Sequence, residues 1–338
     1  MKLTPGKLAG MKAVSDSRGV IAAAAMDQRG SLKKSLAKEK GVADVPDSML
    51  EDFKTIVSEV LTKYASAILL DPEFGLPAAK KRNKKAGLLL AYEQTGYDNN
   101  RPGRIPDLLN LWSVRRLKAA GADCIKVLIY YSPFDSHEIN DEKHAFVERI
   151  GDECRGEDIP FFLEFVGYDP KGGDEKGIEY AKRKPESVIR SMEEFTKGQY
   201  GIDVMKAEVP INMKFVDGVK SNAGKGSAYT HKEALELFRK SAAVSTKPFI
   251  YLSAGVSNDE FAETLELAAE SGVKFNGVLC GRATWANGVP VFAKQGGKAF
   301  VDWMESEGVK NIQNVNERLK AATPWHEAYG VKLEAALA

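Results

Sequence analysis

Cysteine is scarce. Cys124, Cys154 and Cys280 are the three in 338 residues, an odd number, and each lies inside an apolar stretch. That excludes a disulfide scaffold and points to buried, reduced thiols in a cytoplasmic protein. Histidine is nearly as rare. His137, His144, His231 and His326 share no zinc-ligand spacing, and none falls at the end of an expected strand, so a metal site and a zinc-dependent carbon–carbon lyase are disfavoured. His137 and His144 read as solvated. Long apolar runs are missing too. The longest near the N-terminus, Val20 to Met26, stops at Asp27. It is too short for a secretory signal, and nothing approaches the roughly 20 apolar residues of a membrane span. Neither sign of charge dominates, with 48 basic residues, 47 acidic ones and a net charge of +1. No basic face of the kind nucleic acid needs is present. The one basic cluster, Lys80 to Lys85, reads as the wet side of a short helix.

What is present is a repeated alternation of short apolar strands and amphipathic helices. Strands are expected at Gly19–Met26, Ala65–Leu70, Gly87–Tyr92, Cys124–Tyr131, Phe161–Val166, Asp203–Pro210, Pro248–Leu252 and Phe275–Cys280. They are apolar almost throughout, as strands buried on both faces must be. Helix starts are expected at the capping boxes Ser48/Glu51, Thr230/Glu233 and Ser257/Glu260, and at Pro106 and Pro185 as first helical residues. The Val219–Ala228 loop, rich in Gly, Ser and Lys, reads as mobile. The pattern predicts an α/β fold, a (β/α)8 TIM barrel in a single domain over 1–338, with an N-terminal segment 1–18 and C-terminal helices 289–338. A doubly wound sheet is the competitor. It is weakened because Asp27-Gln28-Arg29-Gly30 follows the first strand where a dinucleotide fold would carry Gly-x-Gly-x-x-Gly.

Three of these strands are interrupted by charge. Lys126 lies between Ile125 and Val127, Glu164 between Leu163 and Phe165, and Lys206 between Met205 and Ala207. A charge in mid-strand is costly unless paired or neutralised. The bland alternatives are a solvated edge strand or a structural ion network. Against them, in a parallel barrel the fourth, fifth and sixth strands are neighbours, and their C-terminal ends face the active-site mouth. Two lysines beside a carboxylate suit imine chemistry. Burial and a second ammonium favour the neutral amine of the first lysine, and the carboxylate can carry protons. The seventh and eighth strands end in Ser253-Ala254-Gly255 and Gly281-Arg282. Paired loops of this kind commonly build a phosphate site, although the glycines alone are also ordinary turn residues.

Several segments are specific enough to name a family. Asp27-Gln28-Arg29-Gly30, Lys63-Tyr64-Ala65-Ser66, Leu70 to Pro77, Tyr92 to Asp98, Tyr251 to Val256 and Leu279 to Trp285 resemble the class I tagatose 1,6-bisphosphate aldolases. The resemblance runs in order from about Asp27 to Trp325. It departs around Asn222–Gly226 and after Trp325. It implies a metal-independent Schiff-base aldolase with no cofactor, splitting D-tagatose 1,6-bisphosphate into dihydroxyacetone phosphate and D-glyceraldehyde 3-phosphate. By position, Lys206 matches the imine-forming lysine and Glu164 the general acid/base. Asp27 and Lys126 match the polar groups beside them. Ser253, Gly255, Gly281 and Arg282 match phosphate-loop residues, and Gln28 and Arg29 match residues near the substrate. Fructose 1,6-bisphosphate and 6-deoxy-6-sulfofructose 1-phosphate are alternative substrates, and a non-catalytic sugar-phosphate sensor is the alternative of another class. The expected partner is a small ketose phosphate, with no nucleic acid and no membrane. A homodimer or homotetramer is left open.

Overall fold

A computed structural model describes residues 3–330. Eight parallel strands close into a barrel in sequence order. They are β1 (Ile21–Met26), β2 (Ala67–Leu70), β3 (Gly87–Ala91), β4 (Cys124–Tyr130), β5 (Phe161–Val166), β6 (Val204–Ala207), β7 (Phe249–Leu252) and β8 (Gly277–Cys280). Around and between them run α1 (Pro5–Ala13), α2 (Gly30–Lys40), α3 (Asp47–Leu61), α4 (Leu76–Lys81), α5 (Val114–Ala119), α6 (His137–Gly156) and α7 (Ile178–Phe195). The series continues with α8 (His231–Ala243), α9 (Asn258–Ser271), α10 (Arg282–Trp285), α11 (Val289–Trp303), α12 (Val309–Arg318) and α13 (Trp325–Ala328). No helix among the described residues is long and apolar enough to cross a membrane.

Strand side chains alternate between two cores, as the period of two requires. One parity (Ala24, Ile68, Leu90, Ile125, Leu163, Met205, Tyr251, Val278) packs outward against the helices. The other (Ala23, Ala25, Ala67, Leu69, Leu89, Ala91, Cys124, Phe162, Val204, Ile250, Leu279) fills the barrel interior. Small alanines on β1, β2 and β3 leave room for Phe162, so the interior is packed and is not a pore. The base of the barrel is plugged by segments near both ends of the described residues. Met11 and Val14 from the α1 region, and Trp325 and Tyr329 from the last helix, join the interior cluster. Lys7 pairs with Asp203 at 2.7 Å, and the Tyr329 hydroxyl donates to the Asp203 carbonyl at 2.6 Å. Gly10 and Gly87 permit this contact. A Cβ on Gly10 would lie 2.3 Å from the Asp123 carbonyl oxygen, and one on Gly87 would lie 2.4 Å from that of Ala13.

Several helix starts differ from expectation. α3 begins at Asp47 behind Pro46, and Ser48 caps nothing. Pro106 starts no helix. Its segment folds back on β3 instead, with Gln94 N–H donating to the Asp107 carbonyl at 2.8 Å and Leu109 N–H to that of Tyr92 at 3.0 Å. The helix waits for Ser113, whose side chain accepts from the Arg116 N–H. Pro185 lies inside α7, which starts at Ile178. Thr230/Glu233 forms a complete capping box, whereas Ser257 accepts from Glu260 N–H without the reciprocal bond. The basic cluster leaves the helix after Lys81. The loop expected to be mobile is tied down: Glu263 accepts from the Lys220 and Ser221 N–H groups, and the Asn222 amide bonds the Val216 and Gly226 carbonyls. His144 is not solvated as expected. Its ring packs among Tyr131, Phe195 and Tyr200. All three cysteines are buried and free. Residues 331–338, the end of the expected C-terminal helices, lie outside the described residues.

Candidate active site

The interior parity carries the charges. Along β4 it passes from Cys124 to Lys126, along β5 from Phe162 to Glu164 and along β6 from Val204 to Lys206. Extending the same parity past the ends of β1 and β3 gives Asp27 and Glu93. Register then sets their heights. Glu164 is level with Lys206 on the next strand, while Lys126 is level with Phe162, one inward position lower. Glu164 therefore stands beside Lys206 and above Lys126, between the two lysines. Its Oε2 accepts from Lys206 Nζ at 2.8 Å and lies 3.0 Å from Lys126 Nζ.

Lys126 is fully buried and faces three carboxylates: Glu93 at 2.7 Å, Asp27 at 2.8 Å and Glu164 at 3.0 Å. Of its three N–H donors, two go to Asp27 and Glu93, and Glu164 completes the cluster as an ion pair. Burial alone would depress the Lys126 pKa. The surrounding Asp27, Glu164 and Glu93 charges outweigh it and hold the group well above the ordinary lysine value. Burial pulls Asp27 and Glu164 upward, but Lys126 and Lys206 overcome it and hold both below the usual carboxylate range. Glu93 goes the other way. Its burial outweighs the pull of Lys126 and Arg29 and raises it. One of its oxygens, Oε2, is buried without a partner, as is Gln28 Oε1.

The remaining expected residues ring the mouth. Gln28 reaches toward β8, its Nε2 lying 3.6 Å from where a Cβ on Gly281 would sit. Arg29 is committed to protein partners: Nη1 donates to Glu73 and Nη2 to the Glu93 carbonyl, both at 2.7 Å, while Nε has none. Ser253 is buried at the end of β7. Ala254 and Gly255 after it take positive φ of 49° and 75°. Glycine suits the second position because of its left-handed φ, and the exposed Arg282 guanidinium lies over it. A Cβ there would sit 2.5 Å from Arg282 Cζ.

Three polar residues of this region escaped the sequence reading as site residues. Glu93 and Asp71 were both visible as strand ends, and for Glu93 the inward parity was the available signal. Lys54 and Asp71 form a pair with no exposure at all. Lys54 sits on the apolar stripe of α3 with Leu50, Phe53, Val57 and Leu61. That placement was the clue to its burial. Where Asp27, Glu93 and Glu164 converge, the cation is an ammonium, and among the described residues no group of His, Cys, Asp and Glu is arranged to hold a metal.

Fold and side chains together define the class: a (β/α)8 barrel with buried lysines at its strand ends. The chain belongs to the DeoC/LacD family of aldolases, whose family model matches residues 21–287. It is 53% identical over 328 residues to tagatose 1,6-diphosphate aldolase 2 of Enterococcus faecalis, covering 96% of this chain and 97% of that one. It is 49% identical over 331 residues to tagatose 1,6-diphosphate aldolase of Listeria monocytogenes, covering 98% and 96%. Among solved structures it superposes on a fructose-bisphosphate aldolase from Plasmodium falciparum with a TM-score of 0.68 at 14% identity, over 96% of this chain and 97% of that one. A Schiff-base-forming fructose-1,6-bisphosphate aldolase gives a TM-score of 0.57 at 14% identity, over 92% and 98%. At that identity the likeness speaks for the fold alone.

Proposed function

We propose that this protein is a metal-independent aldolase that reversibly cleaves D-tagatose 1,6-bisphosphate to dihydroxyacetone phosphate and D-glyceraldehyde 3-phosphate through an imine on Lys206. The substrate comes from the names of the half-identical relatives. The observation that carries the mechanism is one carboxylate, Glu164, within 2.8 Å of one buried ammonium and 3.0 Å of another.

Lys206 first hands a proton to Glu164, and its free amine attacks the C2 carbonyl. Glu164 protonates the departing hydroxyl of the carbinolamine, which leaves as water. The iminium withdraws electrons. Glu164 takes the proton of the C4 hydroxyl, the C3–C4 pair moves into an enamine, and the aldehyde departs. Protonation at C3 and hydrolysis release dihydroxyacetone phosphate. Lys126 stays charged throughout and stabilises the anionic form of Glu164 between steps. Asp27 keeps Lys126 oriented and faces the substrate beside Gln28. Ser253, Gly255, Gly281 and Arg282 take a phosphate, and Arg29 shapes the wall through Glu73 and Glu93. The enzyme works in the cytoplasm on a free ketose phosphate.

The test is borohydride reduction in the presence of dihydroxyacetone phosphate, followed by peptide mass spectrometry. One adduct is expected on Lys206, and none in Lys206→Ala. An adduct that survives the substitution refutes the assignment. Turnover measured side by side on tagatose 1,6-bisphosphate, fructose 1,6-bisphosphate and 6-deoxy-6-sulfofructose 1-phosphate fixes the substrate. Binding without any adduct would favour a sugar-phosphate sensor.

A further inference from the structure

One fully buried cation takes no part in the mechanism above. Lys54 leaves helix α3, on the outside of the barrel, and reaches the end of β1. There its ammonium donates to the Met26 carbonyl at 2.8 Å, the Gln28 carbonyl at 2.8 Å and Asp71 Oδ2. Met26 and Gln28 are the two neighbours of Asp27. The lysine therefore grips the main chain on both sides of the residue that contacts Lys126. A further anchor lies one residue earlier, where Trp285 Nε1 donates to the Ala25 carbonyl at 2.9 Å.

All three N–H groups of Lys54 are used, and two go to backbone oxygens at a strand end rather than to an acid. Asp71 is itself fixed, since its Oδ1 accepts from the Glu73 N–H at 3.1 Å and the Phe74 N–H at 2.8 Å. A pair needed only to neutralise charge would have no cause to straddle a mouth residue. We propose that Lys54 is a positioning residue for the aldolase reaction, which sets the direction of the Asp27 carboxylate by clamping the backbone on either side of it, with Asp71 as its counter-ion. The inference rests on the aldolase reading above. Charge supports the geometry, because Lys54 is one of the cations that lower Asp27.

The clamp also connects distant parts of the molecule. Phe53, the residue before Lys54, packs edge-on against Trp285 and Phe292 and stacks on Phe300. Helices α10 and α11 thus hold the residue next to the clamp.

The experiment uses the full-length protein and two charge-removing changes. In the double variant Lys54→Met/Asp71→Asn the buried charges leave together, and Asn keeps an oxygen for the Glu73 and Phe74 N–H groups. Lys54→Gln keeps a donor without the cation, and either variant carries the test if the other does not fold. The expected result is a folded protein, by circular dichroism, that still traps dihydroxyacetone phosphate on Lys206. Its kcat falls at least about tenfold while KM stays within about threefold, as misorientation of a single group predicts. In Lys54→Gln, which leaves the Asp71 charge in place, the acid limb of the kcat profile moves upward, since Asp27 loses a neighbouring cation; in the double variant the paired anion leaves too and the limb stays close to that of wild type. A kcat and an acid limb indistinguishable from wild type in the folded variant overturn the proposal. So does a loss of kcat that only follows the fraction of unfolded protein. Wild type run alongside separates the two readings. If it traps nothing, the aldolase reading falls and the role of Lys54 with it. If wild type traps dihydroxyacetone phosphate and the folded variants match it in kcat and acid limb, the role of Lys54 falls alone.

Discussion

Lys126 concentrates the electrostatics of the barrel mouth. Removing it as Lys126→Met leaves Asp27, Glu93 and Glu164 facing one another without the ammonium that separates them. Breaking a buried ion cluster from one side costs about 3–5 kcal/mol, and that loss is expected in urea unfolding at pH 7. The pH dependence inverts as well. In the wild type, Asp27 and Glu164 have lowered folded values. Their contribution is therefore present above the unfolded carboxylate value, near pH 4, and is lost as pH falls through the folded ones. Lys126 has a raised value, so its contribution is present below about pH 10.4 and is lost only as pH rises through the folded value. Without the ammonium, the three acids repel one another and their folded values rise. Wild type has one raised acid, Glu93, and Lys126→Met would have three, so the variant should gain more stability than wild type between pH 7 and pH 5. A midpoint that is flat or falling for the variant over that range refutes this account. Glu164→Gln tests the acid itself. Turnover should drop about 10²- to 10⁴-fold, with borohydride trapping on Lys206 slowed but still detectable, as rapid-quench mass spectrometry will report. At this scale the sequence was readable wherever a charge broke an apolar strand, because a mid-strand charge is costly unless paired and strand ends face the mouth. Lys126, Glu164 and Lys206 were found on that ground, and their side chains meet. Lys54 was not, because a helical lysine is ordinarily solvated and only its neighbours on one stripe betray its burial. Arg29 illustrates the reverse. Its position at a strand end said nothing about the Glu73 and Glu93 oxygens that occupy it.

Strands and helices differ in what fixes their ends. The strands came out within a residue or two at most ends because continuous apolar runs are bounded by Gly, Pro or a charge. Helix starts were less legible. Pro106 has the residue type of a first turn, but its segment satisfies its backbone against Tyr92 and Glu93, a tertiary choice that local propensity does not encode. Pro185 is tolerated inside α7 because the Ala181 carbonyl, left without an intrahelical N–H four residues before it, accepts from the Tyr229 hydroxyl instead. Two substitutions separate local from tertiary effects. Thr230→Ala removes one complete capping box at an exposed helix end, and should cost about 1 kcal/mol in chemical denaturation with turnover unchanged. Gly277→Ala should be far worse. Gly277 opens β8 at φ 136°, and a Cβ there would lie 2.0 Å from the Ile21 carbonyl oxygen. Strain and overpacking combine to about 3 kcal/mol or more, read as a lowered melting temperature and loss of soluble protein.

For the molecule as a whole, the alternation of eight strands with helices was enough to name the barrel, because a parallel sheet of that length and order has few other solutions. The closing of its base was not legible. Nothing local marks Met11, Trp325 or Tyr329 as neighbours, and they meet only because the two ends of the described chain cross beneath the strands. Nor was it evident that the converging acids would enclose an ammonium. That arrangement makes a prediction about the intact enzyme: dialysis against a millimolar chelator should leave kcat unchanged, and restoration of lost activity by a divalent cation would contradict it. Because the barrel is stopped at the bottom by Lys7, Tyr329 and the packed interior, it is a blind shaft with one opening. Every molecule that reaches Lys206 arrives by the route along which it must depart. If Lys206 carries the imine proposed above, the ketone fragment stays bonded to it after cleavage while the aldehyde is free. Release is then expected to be sequential, with the aldehyde first, and in the synthetic direction the keto triose is expected to dock before its partner.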